Sequence, residues 1–113
     1  MIRNLIVAGA LVAAMTAPAL ADPIEGTWKT QAGDNALITS CSNAFCIKLT
    51  SGEYSGKSIG KMKAAGGGNY VGSITKPSNG KTYSGSGTLS GSKLKMTGCV
   101  LKILCESQTW TKM

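Results

Sequence analysis

Cysteines are the residues whose type and spacing point most directly to covalent chemistry in this sequence. Four are present, in two close pairs: Cys41 with Cys46, and Cys99 with Cys105. Each pair flanks a short loop between runs of β-type residues, so pairing within each hairpin needs only hairpin geometry, and we expect two such disulfides. A crossed pairing would require the two hairpins to meet in space. A metal site is the competing interpretation, but the spacing within each pair and the absence of histidine argue against it.

Other reactive residue types are scarce or scattered. The sequence has no histidine, which removes the Ser-His and Cys-His nucleophile pairs. The five acidic residues are scattered along the chain: Asp22, Glu25, Asp34, Glu53 and Glu106. Scattered carboxylates do not supply the close pair that acid-base chemistry on glycosidic bonds requires. We therefore predict a protein that is not an enzyme and that uses no metal and no cofactor.

The segment 1–21 has the three parts of an export signal. Arg3 supplies a positive charge, residues 5–15 are apolar, and Ala19-Leu20-Ala21 offers a small-x-small cleavage site. We predict cleavage before Asp22 and export to the periplasm or beyond the cell. A membrane anchor is the weaker interpretation, because the apolar run is too short to span a bilayer comfortably.

Residues 22–113 are then expected to form a single domain. The whole chain has a formal net charge of +7, and apart from Arg3 its basic residues are all lysines. The lysines are scattered at alternate positions, as in Lys61 and Lys63, which is typical of the solvent face of strands. We predict that the protein does not bind nucleic acid and does not span the membrane.

The elements that position these residues are predicted to be β-strands, because period-two alternation recurs and no stretch shows helical periodicity. The predicted strands are Ile24–Thr30, Ala36–Cys41, Cys46–Thr50, Ser58–Ala64, Asn69–Lys76, Lys81–Leu89, Lys93–Cys99 and Glu106–Lys112. Short connections, such as the loop predicted at Ser42–Phe45, make consecutive strands antiparallel neighbours. Such a meander removes its free edges by closing, so we expect an all-β, up-and-down antiparallel β-barrel of about eight strands.

The alternation also assigns residues to the inside of this barrel. In the sixth strand Gly85 and Gly87 share the inner face, and in the seventh Met96 and Gly98 do so. In the first strand Trp28 points inward. Glycines on the inner face allow the wall to curve tightly.

Four segments carry a family resemblance: Asp22-Pro23-Ile24-Glu25-Gly26-Thr27-Trp28, Cys41-Ser42-Asn43-Ala44-Phe45-Cys46, Gly80-Lys81-Thr82-Tyr83-Ser84-Gly85 and Ser107-Gln108-Thr109-Trp110-Thr111. Together they resemble a family of small exported bacterial proteins, the domain-of-unknown-function family 2147. The resemblance implies a lipocalin-like (calycin-like) barrel, a small apolar ligand and no established activity. The chain departs from the family in being short between Thr50 and Tyr70 and in having Lys112 where an arginine is usual, and we therefore expect a narrow interior.

The run Gly26-Thr27-Trp28 also resembles the Gly-x-Trp signature of the first lipocalin strand, whose tryptophan closes the barrel floor. We expect Trp28 to fill one end of the barrel and Lys112, from the last strand, to stack on an indole. The alternative makes Trp28 part of a ligand-binding wall.

One predicted loop is apolar, although hairpin loops are normally polar. It is held between two cysteines and consists of Val100, Leu101, Lys102, Ile103 and Leu104. Such a loop either seals the barrel mouth, forms a portal for a ligand, or contacts a partner protein or a membrane surface.

The function that we predict is that of an exported, non-enzymatic binding protein for a small apolar ligand. The residues expected to line its interior are Trp28, Leu49, Met62, Tyr70, Tyr83, Met96 and Trp110. The alternative is a solid-core barrel that acts through its loops as a protein-binding inhibitor or as an envelope interaction protein. A void near Met62 and Tyr83 would favour the first function, and solid packing the second.

Overall fold

The computed structural model describes residues 22–100 and 104–113. The strands are β1 (Gly26–Lys29), β2 (Asn35–Cys41), β3 (Ala44–Leu49), β4 (Ser58–Gly66), β5 (Asn69–Thr75), β6 (Thr82–Ser90), β7 (Lys93–Val100) and β8 (Leu104–Lys112). All the predicted strands are present, and their ends differ from prediction by at most two residues. Within the described residues no helix is long and apolar enough to cross a membrane.

The strands form a closed barrel because β8 pairs with β1 as well as with β7. In the closing pair Trp28 lies opposite Lys112, and the strands run antiparallel. Every other strand pairs with its neighbours in chain order, also antiparallel. The predicted all-β, up-and-down antiparallel barrel is therefore confirmed, and its eight strands are the number found in lipocalins.

Antiparallel neighbours place successive connections at alternate ends of the barrel. One end, which we call the closed end, has tight turns at residues 42–43, 67–68 and 91–92. The other, the mouth end, has the connections at residues 30–34, 50–57 and 76–81, and β7 ends and β8 begins there. Long loops therefore gather at the mouth end, where they surround the opening of the barrel.

One predicted loop boundary is wrong because the turns at the closed end are tight. The loop predicted at Ser42–Phe45 is only two residues long, because β3 already begins at Ala44. Ser42 adopts a positive φ of 53°, the left-handed conformation that short hairpin turns demand. In the turn between β4 and β5 the same demand is met by Gly67 and Gly68, both at positive φ.

Two disulfides join neighbouring strands, one near each end of the barrel. Cys41 pairs with Cys46 beside the turn at the closed end, with their Cα atoms 5.8 Å apart. Cys99 pairs with Cys105 near the mouth end; these two residues lie directly opposite across β7 and β8, with Cα atoms 4.0 Å apart. The predicted pairing is confirmed.

The interior towards the closed end is filled by side chains. The largest fully buried ones are Trp28, Ile24, Ile38, Ile47, Met62 and Leu94. Gly87 on the inner face of β6 makes room for this packing, since a Cβ atom there would lie 3.2 Å from Met96 Sδ and 3.4 Å from Leu94 Cδ1. The inner faces predicted from alternation are confirmed in these strands.

Candidate ligand cavity

The floor of the barrel is formed by residues 22–25, Trp28 and the last residues of β8. The indole Nε1 of fully buried Trp28 donates a hydrogen bond to the carbonyl oxygen of Ile24, at 2.9 Å. Lys112 Nζ lies 4.8 Å from the Trp28 ring centroid, as expected for a cation–π contact. The same ammonium donates to the carbonyl oxygens of Pro23 and Glu25, at 3.1 and 2.6 Å. Trp28 therefore lies in the floor, as the lipocalin-like signature implies.

Tyr70, in β5, contacts the segment 22–25 that precedes β1. Its ring packs edge-to-face on Phe45, with centroids 5.9 Å apart, and its hydroxyl donates to Asp22 Oδ1 at 2.5 Å. The same carboxylate oxygen accepts the backbone N–H of Ile24 at 3.0 Å. Burial, followed by the hydrogen bond to Asp22 and the charge of Asp22, raises the pKa of Tyr70 well above its usual value. The neutral phenol is thus the form that the fold stabilises.

Above this packed region the barrel contains a cavity of about 710 Å³ that is partly open at the mouth end. Its apolar wall comes from six successive strands, β3 to β8. The inward side chains are Leu49, Ile59, Ile74, Tyr83, Met96 and Trp110. The interior is therefore narrow only towards the floor, and the cavity has the size typical of small-molecule sites, about 300–1,000 Å³.

The structure divides the seven residues predicted to line the interior into two groups. Leu49, Tyr83, Met96 and Trp110 lie on the cavity wall. Trp28, Met62 and Tyr70 instead pack in the buried core. Any contact of the first four with a ligand stays a prediction.

A row of three glycines crosses the barrel wall, and one of them, Gly98, lines the cavity. Gly72, Gly85 and Gly98 lie opposite one another across β5, β6 and β7. The side chain of Ile74 covers Gly85, since a Cβ atom at Gly85 would lie 2.6 Å from Ile74 Cγ1. At Gly98 the nearest described atom to an added Cβ is Tyr83 Cβ, at an ordinary contact distance of 3.9 Å, so a side chain there would not be crowded by the described residues. Sequence reasoning placed Gly98 inside the barrel but missed that it lines the cavity.

Two further wall residues were not among those predicted to line the interior. Ile59 is the extra residue of a bulge, because Ile47 pairs with Gly60 whereas Lys48 pairs with Ser58. Tyr54 belongs to the connection 50–57 and packs against the core from above. No period-two pattern could have placed either side chain on the wall.

Polar groups enter the cavity wall mainly along β8. Its inner row continues from Trp110 through Gln108 and Glu106 to Leu104, all of which line the cavity. Gln108 Oε1 accepts a hydrogen bond from the Trp110 indole Nε1 at 3.0 Å. The alternation of β8, counted back from Trp110, was the signal that could have identified Glu106 as an inward carboxylate.

The mouth loops add polar atoms of their own. Thr30 Oγ1 accepts the backbone N–H of Asp34 at 3.1 Å, and both residues line the cavity. Lys76 lies on the opposite connection and also lines it. Among residues 22–100 and 104–113, no group of three or more histidine, cysteine, aspartate or glutamate residues could hold a metal ion.

The apolar loop predicted between the last two cysteines is described only at its ends. Leu101, Lys102 and Ile103 lie outside the described residues. Val100 and Leu104 face each other across β7 and β8, line the cavity, and are 38% and 71% exposed. The rim of the cavity is therefore apolar at this point.

Comparison with known proteins gives one family. A family model described as an uncharacterized protein conserved in bacteria (DUF2147) matches residues 54–112, from Tyr54 of the mouth end to the end of β8. The segments at Asp22–Trp28 and Cys41–Cys46, on which the resemblance also rested, precede this range. Comparisons with curated proteins and with solved structures gave no match. Because the family model covers more than half of the 113 residues, the chain belongs to this family of uncharacterized bacterial proteins.

Proposed function

We propose that the protein binds one small, largely apolar molecule in the cavity and performs no chemistry on it. The observation that carries the proposal is a cavity of about 710 Å³ with apolar walls and one open end. Small-molecule sites in proteins are concave and mostly apolar, with a few polar groups that orient the ligand. The floor of Trp28 and Lys112 blocks the far end, so a ligand enters through the mouth.

The disulfides support a role outside the cytoplasm, because structural disulfides persist in oxidising compartments. Both bonds join adjacent strands, one near each end of the barrel. The predicted export signal at residues 1–21 gives the same location. We therefore place ligand binding in the periplasm or outside the cell.

Blocking the cavity at Gly98 tests the proposal. This glycine lies outside the left-handed region of φ, so a larger residue adds no backbone strain, and its side chain would extend into the cavity that Gly98 lines. We expect Gly98→Phe to keep the fold and to weaken binding of a neutral fluorescent probe, N-phenyl-1-naphthylamine, by about tenfold or more, that is about 1.4 kcal/mol. Fluorescence titration measures the affinity, and circular dichroism checks the fold.

The matched control is Ser86→Phe. Ser86 is exposed, belongs to β6 in the same wall, and alternates with the inward residues Gly85 and Gly87. The control adds the same phenyl group outside the barrel and should leave probe affinity unchanged. Absence of probe binding to the unmodified protein, or equal affinity in Gly98→Phe, would contradict the proposal. Native mass spectrometry of protein purified from its own host then gives the mass of a retained molecule.

The alternative, a barrel acting on a protein partner through its loops, is favoured by one observation, the exposed apolar pair Val100 and Leu104 at the rim. The two functions respond differently to the same variant. Gly98→Phe fills the interior without altering the rim, so it should weaken ligand binding and leave a loop-mediated protein contact intact.

A further inference from the structure

We infer that the cavity takes an amphiphile whose polar head is cationic, an alkylammonium or related amine, with its apolar part against the wall and its head beside Glu106. This inference rests on the proposed function and adds the chemical class of the ligand. Its basis is the distribution of charge between the inside and the outside of the barrel.

The lysines of the strands cover the outer surface. Lys29, Lys48, Lys61, Lys63, Lys93 and Lys95 are all exposed and alternate with inward residues of their strands. The positive charge of these six lysines therefore lies outside the cavity. A net positive chain does not by itself select an anionic ligand for its interior.

At the level of the cavity, the inner face of the barrel instead carries negative charge. Along β8 the inner row holds two charged residues, Glu106 and Lys112. The Lys112 ammonium is engaged at the floor by two backbone carbonyl oxygens and the Trp28 ring. Glu106 instead lies on the cavity wall. Among the described strand residues that line the cavity, Glu106 is the one with a charge, and its side chain is exposed.

The surroundings of Glu106 leave room for a head group. The residue paired with Glu106 on β7 is Gly98, which has no side chain to cover the carboxylate. The apolar residues Met96 and Trp110 lie further along the same two inner faces, towards the floor. An apolar chain can therefore occupy the deeper wall while a cation stays near the carboxylate, close to the mouth.

The loop charges at the mouth do not reverse this preference. The two other charged residues of the cavity wall are Asp34 and Lys76, one acidic and one basic, and both belong to connections. Their formal charges cancel, which leaves the carboxylate of Glu106 as the net charge of the wall. A negatively charged head, such as that of a fatty acid, would face two carboxylates and one ammonium.

A series of ligands with one decyl chain and different heads tests the inference. Decyltrimethylammonium, decanol and decanoate, each below its critical micelle concentration, compete with N-phenyl-1-naphthylamine for the unmodified protein. We expect decyltrimethylammonium to displace the neutral probe at about tenfold lower concentration than decanoate. Glu106→Gln removes the charge with little change in shape and should weaken decyltrimethylammonium by about fivefold, the size of one partly exposed charge interaction.

The matched control is Glu53→Gln, which removes the same charge from an exposed position of the connection 50–57. It should leave the order and the size of the displacement unchanged. Probe affinity in each variant reports an intact cavity, so a misfolded variant is recognised. Equal displacement by decanoate, or an unchanged cation preference in Glu106→Gln, would overturn the inference and leave the proposed function standing. If the neutral probe itself does not bind, the proposed function fails.

Discussion

The contact between Tyr70 and Asp22 predicts that the free energy of unfolding falls at alkaline pH. Tyr70 is 4% exposed, and its hydroxyl donates to Asp22 Oδ1 at 2.5 Å. A hydrogen bond to a charged group contributes about 1.5–3 kcal/mol. At pH 8 we expect Tyr70→Phe to lower the free energy of unfolding by about 2 kcal/mol, measured by urea denaturation with the disulfides intact.

The sign of the pH effect follows from the raised pKa of Tyr70 in the folded protein. Below its ordinary value of 10.0 the phenol is neutral in both states, and the full contribution is present. Above pH 10 the unfolded chain releases this proton while the folded protein retains it, so stability falls by up to about 1.4 kcal/mol per pH unit. Tyr70→Phe has no such proton, and the advantage of the unmodified protein should shrink between pH 10 and 12.

A matched control separates this effect from general alkaline denaturation. Tyr83→Phe removes a different tyrosine, on the cavity wall, and leaves the contact between Tyr70 and Asp22 in place. Equal stability of Tyr70→Phe and the unmodified protein at pH 8 would refute a stabilising contact between Tyr70 and Asp22. A stability difference that stays constant from pH 8 to pH 12 would refute the raised pKa of Tyr70.

Two further substitutions test the floor and the glycine row. Lys112→Met keeps the unbranched chain, one atom shorter, but removes its ammonium. Loss of the cation–π contact and of two hydrogen bonds should cost about 1–3 kcal/mol in urea denaturation. Unchanged stability would mean that the floor does not depend on this charge. Gly85→Ala places a Cβ atom 2.6 Å from Ile74 Cγ1 and should destabilise by about 1–3 kcal/mol, whereas Gly98→Ala should cost much less in the same assay. Equal losses of stability in Gly85→Ala and Gly98→Ala would mean that Gly98 is as crowded as Gly85.

The sequence was sufficient for the strands and for the faces of their residues. Alternation with a period of two depends on local backbone geometry, so Trp28 and Met96 could be assigned to the interior without knowledge of pairing. The cysteine pairs were equally local, because each is part of one hairpin. These predictions succeeded because neighbouring residues along the chain contain all the information they need.

The height of each inward residue, that is its position along the barrel axis, could not be predicted in the same way. Tyr70 and Tyr83 both face inward, yet one lies in the packed core near the floor and the other on the cavity wall. Height depends on strand tilt and on the stagger between strands, which are set by the pairing of the whole barrel. The bulge that turns Ile59 into a wall residue shifts that stagger locally. Inward direction alone therefore could not separate floor from cavity.

The position of the cavity depends on which inward residues lie side by side once the strands are paired in register. Gly72, Gly85 and Gly98 are spaced thirteen residues apart in the sequence, and each is unremarkable within its own strand. Pairing places them side by side, and the row then reaches Glu106 on β8. Ile74 covers Gly85 and the backbone of β4 covers Gly72, so Gly98 is the uncovered glycine of the row. Glu106 lies beside Gly98 because of the register between β7 and β8, and neither strand's own sequence shows this neighbour.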